Sequence, residues 1–460
     1  MQPANAERGQ WGSRLGFIFA AAGSAIGLGN VWRFPTTVGQ NGGAVFVLVY
    51  LLAVVGLSFF VMIAEFSLGR RTQRNPVGVY KTLAPGSAWK YLGVLGVLTG
   101  WGISSFYSVV AGWTLGYLWK TAVGAFNQAS ADQIASMFGS FVADPLTQIS
   151  LHFLFMVATV LILMGGIKGG IERWSKILMP LLLGILVLLV VRSVTLPNAG
   201  IGLEYYLKPD WSKLTGRGVI AAVGQAFFSL SLGMGTMITY GSYLSRRENL
   251  VTAASWVCAL DTLIALLAGF AIFPALFSVG LEPSIGAGLI FVVLPNIFNK
   301  IFLGNLFGAG FFLLLAIAAI TSLISIVEVP AAYFIDERKW TRRKAVLVSG
   351  GGAFLAGIPA ALSLGAVPGL SSLLTIENRT YGFLDLMNLL FGQYSLIIGS
   401  LGVAIFVGWK WGLSNLFAEL REGNPDFRAE RLFGFFIKFF CPIIIALLLI
   451  YLIFNPNAFA

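Results

Sequence analysis

The stretch AAGSAIGLGNVWRFP, residues 21–35, lies inside the first long apolar segment of the chain, yet it is poor helix. Gly23, Gly27 and Gly29 each disfavour a helix interior by roughly 1 kcal/mol relative to Ala, and Arg33 and Pro35 follow before the segment ends. In hydrocarbon, unwound backbone is tolerated only where it is buried in protein or lines a polar cavity. The break therefore predicts a polar site at membrane depth.

The rest of the chain supplies the membrane context. With 57% hydrophobic and 11% charged residues over 460 positions, the composition departs far from that of soluble domains, which carry about 25% charge. Apolar stretches near the length of about 20 residues needed to cross a bilayer recur at roughly 14–37, 43–69, 91–123, 148–167, 174–196, 218–243, 251–278, 306–335, 344–363, 381–408 and 433–455. These eleven spans predict an all-α polytopic membrane protein, a single transmembrane domain over 1–460. The net charge of +11 could suggest nucleic acid, but most Lys and Arg fall in alternate loops, as at Arg70, Arg71, Arg74, Lys168, Arg173, Arg246, Arg247, Arg338, Lys339, Arg342 and Arg343. That is the positive-inside pattern. It predicts a multi-pass protein of the cell (inner or plasma) membrane with a cytoplasmic N-terminus, a C-terminus outside and no nucleic-acid partner.

Several features read as structural. Cys258 and Cys441 lie in apolar segments as small buried hydrophobes, with no disulfide expected. His152 is the only histidine, and one His does not make a metal site. The AAAGSA run at 20–25 has small residues of the kind a signal peptidase cuts, but the apolar segment continues through it. The segment 279–305, punctuated by Pro283, Gly286, Gly288 and Pro295, reads as two short helices on the outer face, and 409–432 as a charged cytoplasmic linker broken by Pro425.

A second break, SLSLGMGT at 229–236, stands five spans after the first. Five-span units have opposite topology, and broken helices at corresponding positions of two such units point to a transport site near the midplane. The expected units are 14–196 (spans 1–5) and 218–408 (spans 6–10), followed by 409–460 with span 11. Carbonyls freed at a break suit a hard cation, and amides at half-helix N-termini suit a carboxylate. Sodium and a zwitterion would use both. Asn30, Ser229, Ser231, Asp261, Thr321 and Ser322 supply polar side chains near the breaks. Among intramembrane acids, which are functional candidates by default, Glu65 reads as an acceptor for free backbone amides. Asp261, with no basic residue in its segment, reads as an ion ligand, and Glu328 stays open.

GSAIGLGNVWRFP, NGGAVF at 41–46, AEFSLGR at 64–70, GWTLG at 112–116, GIERWSKILMP at 170–180 and AAVGQAFFSLSLGMGTMITYGSY at 221–243 together resemble the neurotransmitter:sodium symporters, particularly their bacterial amino-acid members, from about Arg8 to the end of span 11. The resemblance implies a LeuT-type fold, two inverted five-helix repeats plus an eleventh helix, with helices 1 and 6 unwound at the midplane. It implies two sodium sites. The first would use the Ala25 carbonyl, Asn30, Ser229 and Asp261 with the substrate carboxylate, and the second the Gly23, Ile26 and Ala318 carbonyls with the Thr321 and Ser322 hydroxyls. Substrate would lie among Ser24, Ala25, Gly27, Leu28, Gly29, Ile103, Tyr107, Phe228, Ser229, Ser231, Met234, Ser322 and Ile326, with Tyr107 on its carboxylate. For Phe228, Ile103 and Ile326 a plain core role stays open.

Position 27 bears on the substrate, because monoamine carriers of this family place an aspartate there and this chain has Gly27. A hydrophobic L-amino acid carrying its own carboxylate fits better, and the adaptable Met234 predicts that aromatic ones are accepted. Asp261 stands where the family usually has Asn, and Ala265 where chloride-dependent members carry Ser, which predicts chloride-independent transport. The outer gate would set Arg33 against Asp385, with Asn388 at the aligned position. The inner gate would set Arg8 and Trp11 against Asp336 near Tyr243. Gly169, Gly170 and Pro180 weaken span 5, predicting local unwinding that lets the second sodium leave. With no nucleotide loop, cofactor motif or activated nucleophile, no enzyme is expected. A sodium-dependent amino-acid sensor or channel-like protein on the same fold is the alternative, and a proton-coupled carrier is disfavoured by the Thr321 and Ser322 hydroxyls.

Overall fold

The computed structural model describes residues 9–281 and 289–459. Arg8, and the stretch holding Pro283, Gly286 and Gly288, lie outside the described residues. Among them, 9 helices are long and apolar enough to cross a membrane. They are span 2 (Ala44–Thr72), span 3 (Lys90–Ala122), span 4 (Pro145–Met164), span 5 (Ile167–Val194), span 7 (Leu250–Ser278), span 8 (Gly304–Arg338), span 9 (Arg342–Leu362), span 10 (Phe383–Glu422) and span 11 (Glu430–Phe454). Span 1 is a tenth, made of Arg14–Ala25 and Gly29–Gln40 bent by 52°. Span 6 is split into Gly216–Ser229 and Thr236–Gly241, each too short to cross alone. The chain is thus an all-α polytopic membrane protein.

Local chemistry sets where the helices begin. Side chains of Ser13, Asp144, Thr215, Asn249 and Thr341 accept from the first free amides of spans 1, 4, 6, 7 and 9, which otherwise lack an intrahelical partner. Span 10 does not stop near 408. It runs on through a π-helical turn, Phe406–Gly412, into Leu413–Glu422. Further π turns occupy Gly29–Arg33, Val54–Ser58, Ile167–Glu172, Asn388–Ser395 and Phe436–Phe440.

Spans 3 and 8, of 33 and 35 residues, pack on each other along much of their length and form the centre. At 1.5 Å per residue each is about 50 Å long, well beyond a hydrocarbon core of about 30 Å. Small residues bring backbones close elsewhere. A Cβ on Gly399 of span 10 would lie 1.9 Å from the Gly233 carbonyl in the span 6 break, and one on Gly233 would lie 2.0 Å from the Leu396 carbonyl.

The connections after odd-numbered spans share one side of the bundle, here the hairpin side. They include the helices Ala131–Ala143 and Ala199–Leu207 and the antiparallel pair Leu374–Ile376 with Arg379–Tyr381. A short helix over 290–300 also lies there, and its Phe291 ring packs on Trp32, Trp113, Tyr117, Phe138 and Phe312. On the opposite, arginine side, buried Arg70 sets its Nε 2.6 Å from Glu419 Oε1 and also donates to the Glu248 carbonyl, tying span 2 to the 6–7 loop and the end of span 10.

Candidate functional site

The two breaks face each other. In span 1 the helix stops at Ala25, Ile26 is extended (φ −72°, ψ 102°), and a π turn resumes at Gly29. None of Gly23, Gly27 and Gly29 has positive φ, so these glycines serve by their size. A Cβ on Gly27 would lie 2.6 Å from Ser322 Oγ and 2.9 Å from the Tyr107 hydroxyl, and one on Gly29 would lie 3.0 Å from the Phe228 ring. In span 6 the backbone itself is left-handed, with φ of 53° at Ser231, 83° at Gly233 and 81° at Gly235, a region where glycine carries no steric cost.

Asn30, Ser229 and Asp261 converge from spans 1, 6 and 7. Asn30 Nδ2 donates to Ser229 Oγ (3.0 Å), to Asp261 Oδ1 (2.8 Å) and to the Asp261 carbonyl (3.1 Å), while Ser229 Oγ donates to Asp261 Oδ2 (2.8 Å). Asn30 Oδ1 accepts from the Gly27 amide at 3.2 Å. All three side chains are buried, as is Ala25 at the end of the first half-helix. Among the described residues no three of His, Cys, Asp and Glu gather, so a cation here would meet neutral oxygens around one carboxylate.

A second group of oxygens lies beside it. Ser322 Oγ is 3.4 Å from the Gly23 carbonyl, 3.2 Å from that of Ser24 and 3.2 Å from that of Ile26. Thr321, one residue earlier, donates to the Ala318 carbonyl at 3.0 Å, and its Cβ is 3.2 Å from where a Cβ on Gly23 would stand. The five residues expected to form the second ion set are therefore neighbours.

Between these groups lies the expected substrate region. The Tyr107 hydroxyl accepts from the Leu28 amide at 3.2 Å, Ser231 Oγ donates to the Ser24 carbonyl at 3.0 Å, and Ser24 Oγ donates to Ser325 Oγ at 2.7 Å. Ile103, Met234 and Ile326 are buried. Phe228 packs against Gly29 and carries the Arg33 guanidinium 4.3 Å from its ring centroid.

The gate residues divide. Asp385 accepts from the Gly382 amide at 3.1 Å and lies 3.7 Å from Arg379, turned toward the hairpin, and Asn388 opens a π turn. On the arginine side, Trp11 Nε1 donates to the Tyr240 carbonyl (3.1 Å), and its ring meets Tyr240 and Tyr243 edge-on. Asp336 accepts from the Asn75 amide at 2.7 Å, and Arg8 lies outside the described residues.

The intramembrane acids now have partners. Glu65 accepts from the Gly233 amide at 2.7 Å, satisfying a donor exposed by the span 6 break. Glu328, open on sequence, accepts from the Tyr243 hydroxyl at 2.7 Å and is held by both terminal nitrogens of Arg342, at 3.1 and 2.8 Å. Sequence reasoning missed three participants. Gln225 donates to the Gly29 carbonyl at 3.0 Å, the Tyr50 hydroxyl lies 3.5 Å from both Ser229 and Asp261, and Glu172 accepts from the Gly12 amide (2.6 Å) and Ser13 hydroxyl (2.8 Å). Only Gln225 carried a signal, as a polar residue three short of Phe228 in a buried segment.

Known proteins match this chain over nearly its whole length. The model of the Sodium:neurotransmitter symporter family matches residues 8–136 and 134–459. The sodium-dependent transporter YhdH of Bacillus subtilis is 39% identical over 96% of this chain and 97% of its own length. A sodium-dependent transporter of Haemophilus influenzae is 36% identical over 97% and 98%. A solved structure, described as the crystal structure of MhsT in complex with L-phenylalanine, superposes with a TM-score of 0.87 at 45% identity, covering 96% of this chain and 99% of that one.

Proposed function

The chain belongs to the sodium:neurotransmitter symporter family, a family of secondary transporters and not of enzymes, and on that premise we propose that it imports hydrophobic L-amino acids, aliphatic and aromatic, by coupling them to two sodium ions. The observation that carries this reading is the convergence of Asn30, Ser229 and Asp261 beside the Ser322 hydroxyl and its three carbonyls. Both groups are oxygen-rich, as a hard cation requires.

In the first, sodium would replace the Asn30 NH2 against the Asp261 carboxylate, so the amide turns over and offers Oδ1, releasing the Gly27 amide. That amide, the Tyr107 hydroxyl and the ion then face a single substrate carboxylate. The substrate side chain would extend among Ile103, Phe228, Met234 and Ile326. The co-crystal partner of the similar MhsT, L-phenylalanine, supports an aromatic substrate. Filling the ion groups favours the substrate-competent state, and coupling follows because each ligand raises the affinity of the other by the same factor.

The wider arrangement follows the same reading. Spans 1–5 and 6–10 form inverted repeats around the two breaks. The arginine side faces the cytoplasm by the positive-inside rule, so the N-terminus is inside and the C-terminus outside. Asp261 supplies fixed negative charge beside Ala265, making transport independent of chloride. Trp11, Tyr243, Asp336 and Arg8 close the inner side, and Arg33 closes the outer side over Phe228. For Arg33 to meet Asp385, that acid leaves Arg379.

The test is uptake of labelled leucine into proteoliposomes under an inward sodium gradient. Saturable accumulation above equilibrium, competition by excess tryptophan and no change on replacing chloride with gluconate are expected. Binding without accumulation would favour a sensor, flux without saturation a channel, and collapse in gluconate would remove the chloride argument.

A further inference from the structure

A cavity of about 550 Å³ opens on the hairpin side, away from both breaks, between the ends of spans 3 and 4 and beneath the helix Ala131–Ala143. Its size falls in the range of about 300–1,000 Å³ that holds small-molecule ligands. The geometry is a wedge. Spans 3 and 4 meet backbone to backbone at Gly112, where a Cβ would lie 3.0 Å from the Leu151 carbonyl carbon, and at Gly116 a Cβ would still be 3.1 Å from a Leu151 methyl. They then part toward Lys120 and Asp144, and Phe141 of the covering helix stands over Gly116 at 2.6 Å from the same Cβ position.

The lining changes character along the membrane normal. Leu115 and Leu151 form the deep end, and Lys120, Ser140 and Asp144 form the mouth. Lys120 lies five residues from Leu115 and Asp144 seven from Leu151, so the polar mouth stands about 8–10 Å from the apolar floor at 1.5 Å per residue. That depth separates headgroup from acyl region in an interfacial amphiphile. Trp119 and Leu146 flank the mouth with relative exposures of 70% and 75%, as expected of an aromatic belt and a lipid-facing turn. The mouth bears one charge of each sign. The Lys120 ammonium sits 5.3 Å from the Phe141 ring centroid. Hydrogen bonds from Thr147 hold the Asp144 carboxyl below the usual carboxylate range, so it stays ionised at neutral pH.

We propose that this wedge is a binding site for a phospholipid with an amine-bearing headgroup, phosphatidylethanolamine, drawn from the leaflet on the hairpin side. Lys120 meets the phosphodiester, Asp144 the ammonium, and one acyl chain lies on Leu115, Phe141 and Leu151. A lipid there fills the gap between spans 3 and 4 and braces the Ala131–Ala143 helix, leaving the two breaks untouched.

The test uses the full chain purified in mild detergent, exposed in turn to phosphatidylethanolamine, phosphatidylglycerol and phosphatidylcholine micelles, with retained lipid counted by native mass spectrometry. Phosphatidylethanolamine should be retained about tenfold over the other two, Lys120→Gln should weaken retention of all three, and Asp144→Asn, which removes the partner of the ammonium, should abolish the preference. Ser140→Phe places a ring in the mouth from an exposed position and should abolish it too, with thermal unfolding unchanged, which guards against a Lys120 variant that misfolds. Equal retention of phosphatidylglycerol, retention unaffected by any of these variants, or displacement of the lipid by free leucine would each overturn the proposal.

Discussion

The glycines of residues 21–35 show how a correct reading can rest on an incomplete reason. Sequence marks them as helix breakers, yet the extended residue is Ile26, and Gly27 and Gly29 are needed because Ser322, Tyr107 and Phe228 stand where their side chains would be. Gly27→Ala should therefore leave the fold intact and raise the half-saturation of amino-acid binding by at least about tenfold, about 1.4 kcal/mol, in equilibrium binding to detergent-purified protein. Unaltered affinity would place the substrate elsewhere. In span 6 the opposite holds, because Gly233 and Gly235 have φ that glycine tolerates and Ala does not. The gathering of Asn30, Ser229 and Asp261 and of Gly23, Ile26, Thr321 and Ser322 was legible because polar residues stand out in apolar segments, and because long motifs run through the two breaks. The partners of Gln225 and Tyr50 were not, since each lies 179 or more residues along the chain from the group it meets and no local pattern encodes that meeting. Glu65 adds a stability prediction. Glu65→Ala leaves the buried Gly233 amide without its acceptor, which should cost about 1–3 kcal/mol in thermal unfolding. Glu65→Gln, retaining a carbonyl oxygen, should cost less.

At the scale of elements, hydropathy located nine of the eleven spans to within a few residues, while span 5 begins at Ile167 instead of 174 and span 10 runs on past 408 to Glu422, and the second break was found by its spacing from the first. The π turns were invisible. Val54–Ser58 reads VVGLS, and nothing in that composition separates a turn of five residues from one of four. The extra residue is accommodated by packing, and such turns gather at functional places. Span 5 combines several weaknesses. It starts with a π turn at Ile167–Glu172 after Gly166 at φ 77°, contains Pro180, and places Met179 Sδ 3.2 Å from where a Cβ on Gly23 would stand. Its Glu172 also holds the segment before span 1 through Gly12 and Ser13. Unwinding here would open a path from the second ion group toward the arginine side. Pro180→Ala restores a missing backbone donor and should slow sodium release toward the cytoplasm several-fold, measured as labelled sodium efflux from proteoliposomes. An unchanged rate would remove span 5 from the exit route.

For the molecule as a whole, sidedness is the property most open to a direct check. Cys258 and Cys441 are both buried, so an introduced thiol reports alone. Ser212→Cys, in the exposed loop between spans 5 and 6, should react with a membrane-impermeant maleimide on intact cells, and Arg247→Cys only after permeabilisation. The reverse pattern would invert the assignment of inside and outside. The close approach of Gly233 and Gly399 carries a different consequence. Spans 6 and 10 meet there carbonyl against glycine, with only the short Ser400 hydroxyl beside the contact, 2.7 Å from where a Cβ on Gly233 would stand. Interlocked helices must unlock before they move, whereas two smooth surfaces can slide, in the manner of shear between packed helices. Glu65 fastens the same turn to span 2, so spans 2 and 6 would travel together past span 10. The contact between Gly233 and Gly399 would then act as a slip plane between spans 6 and 10.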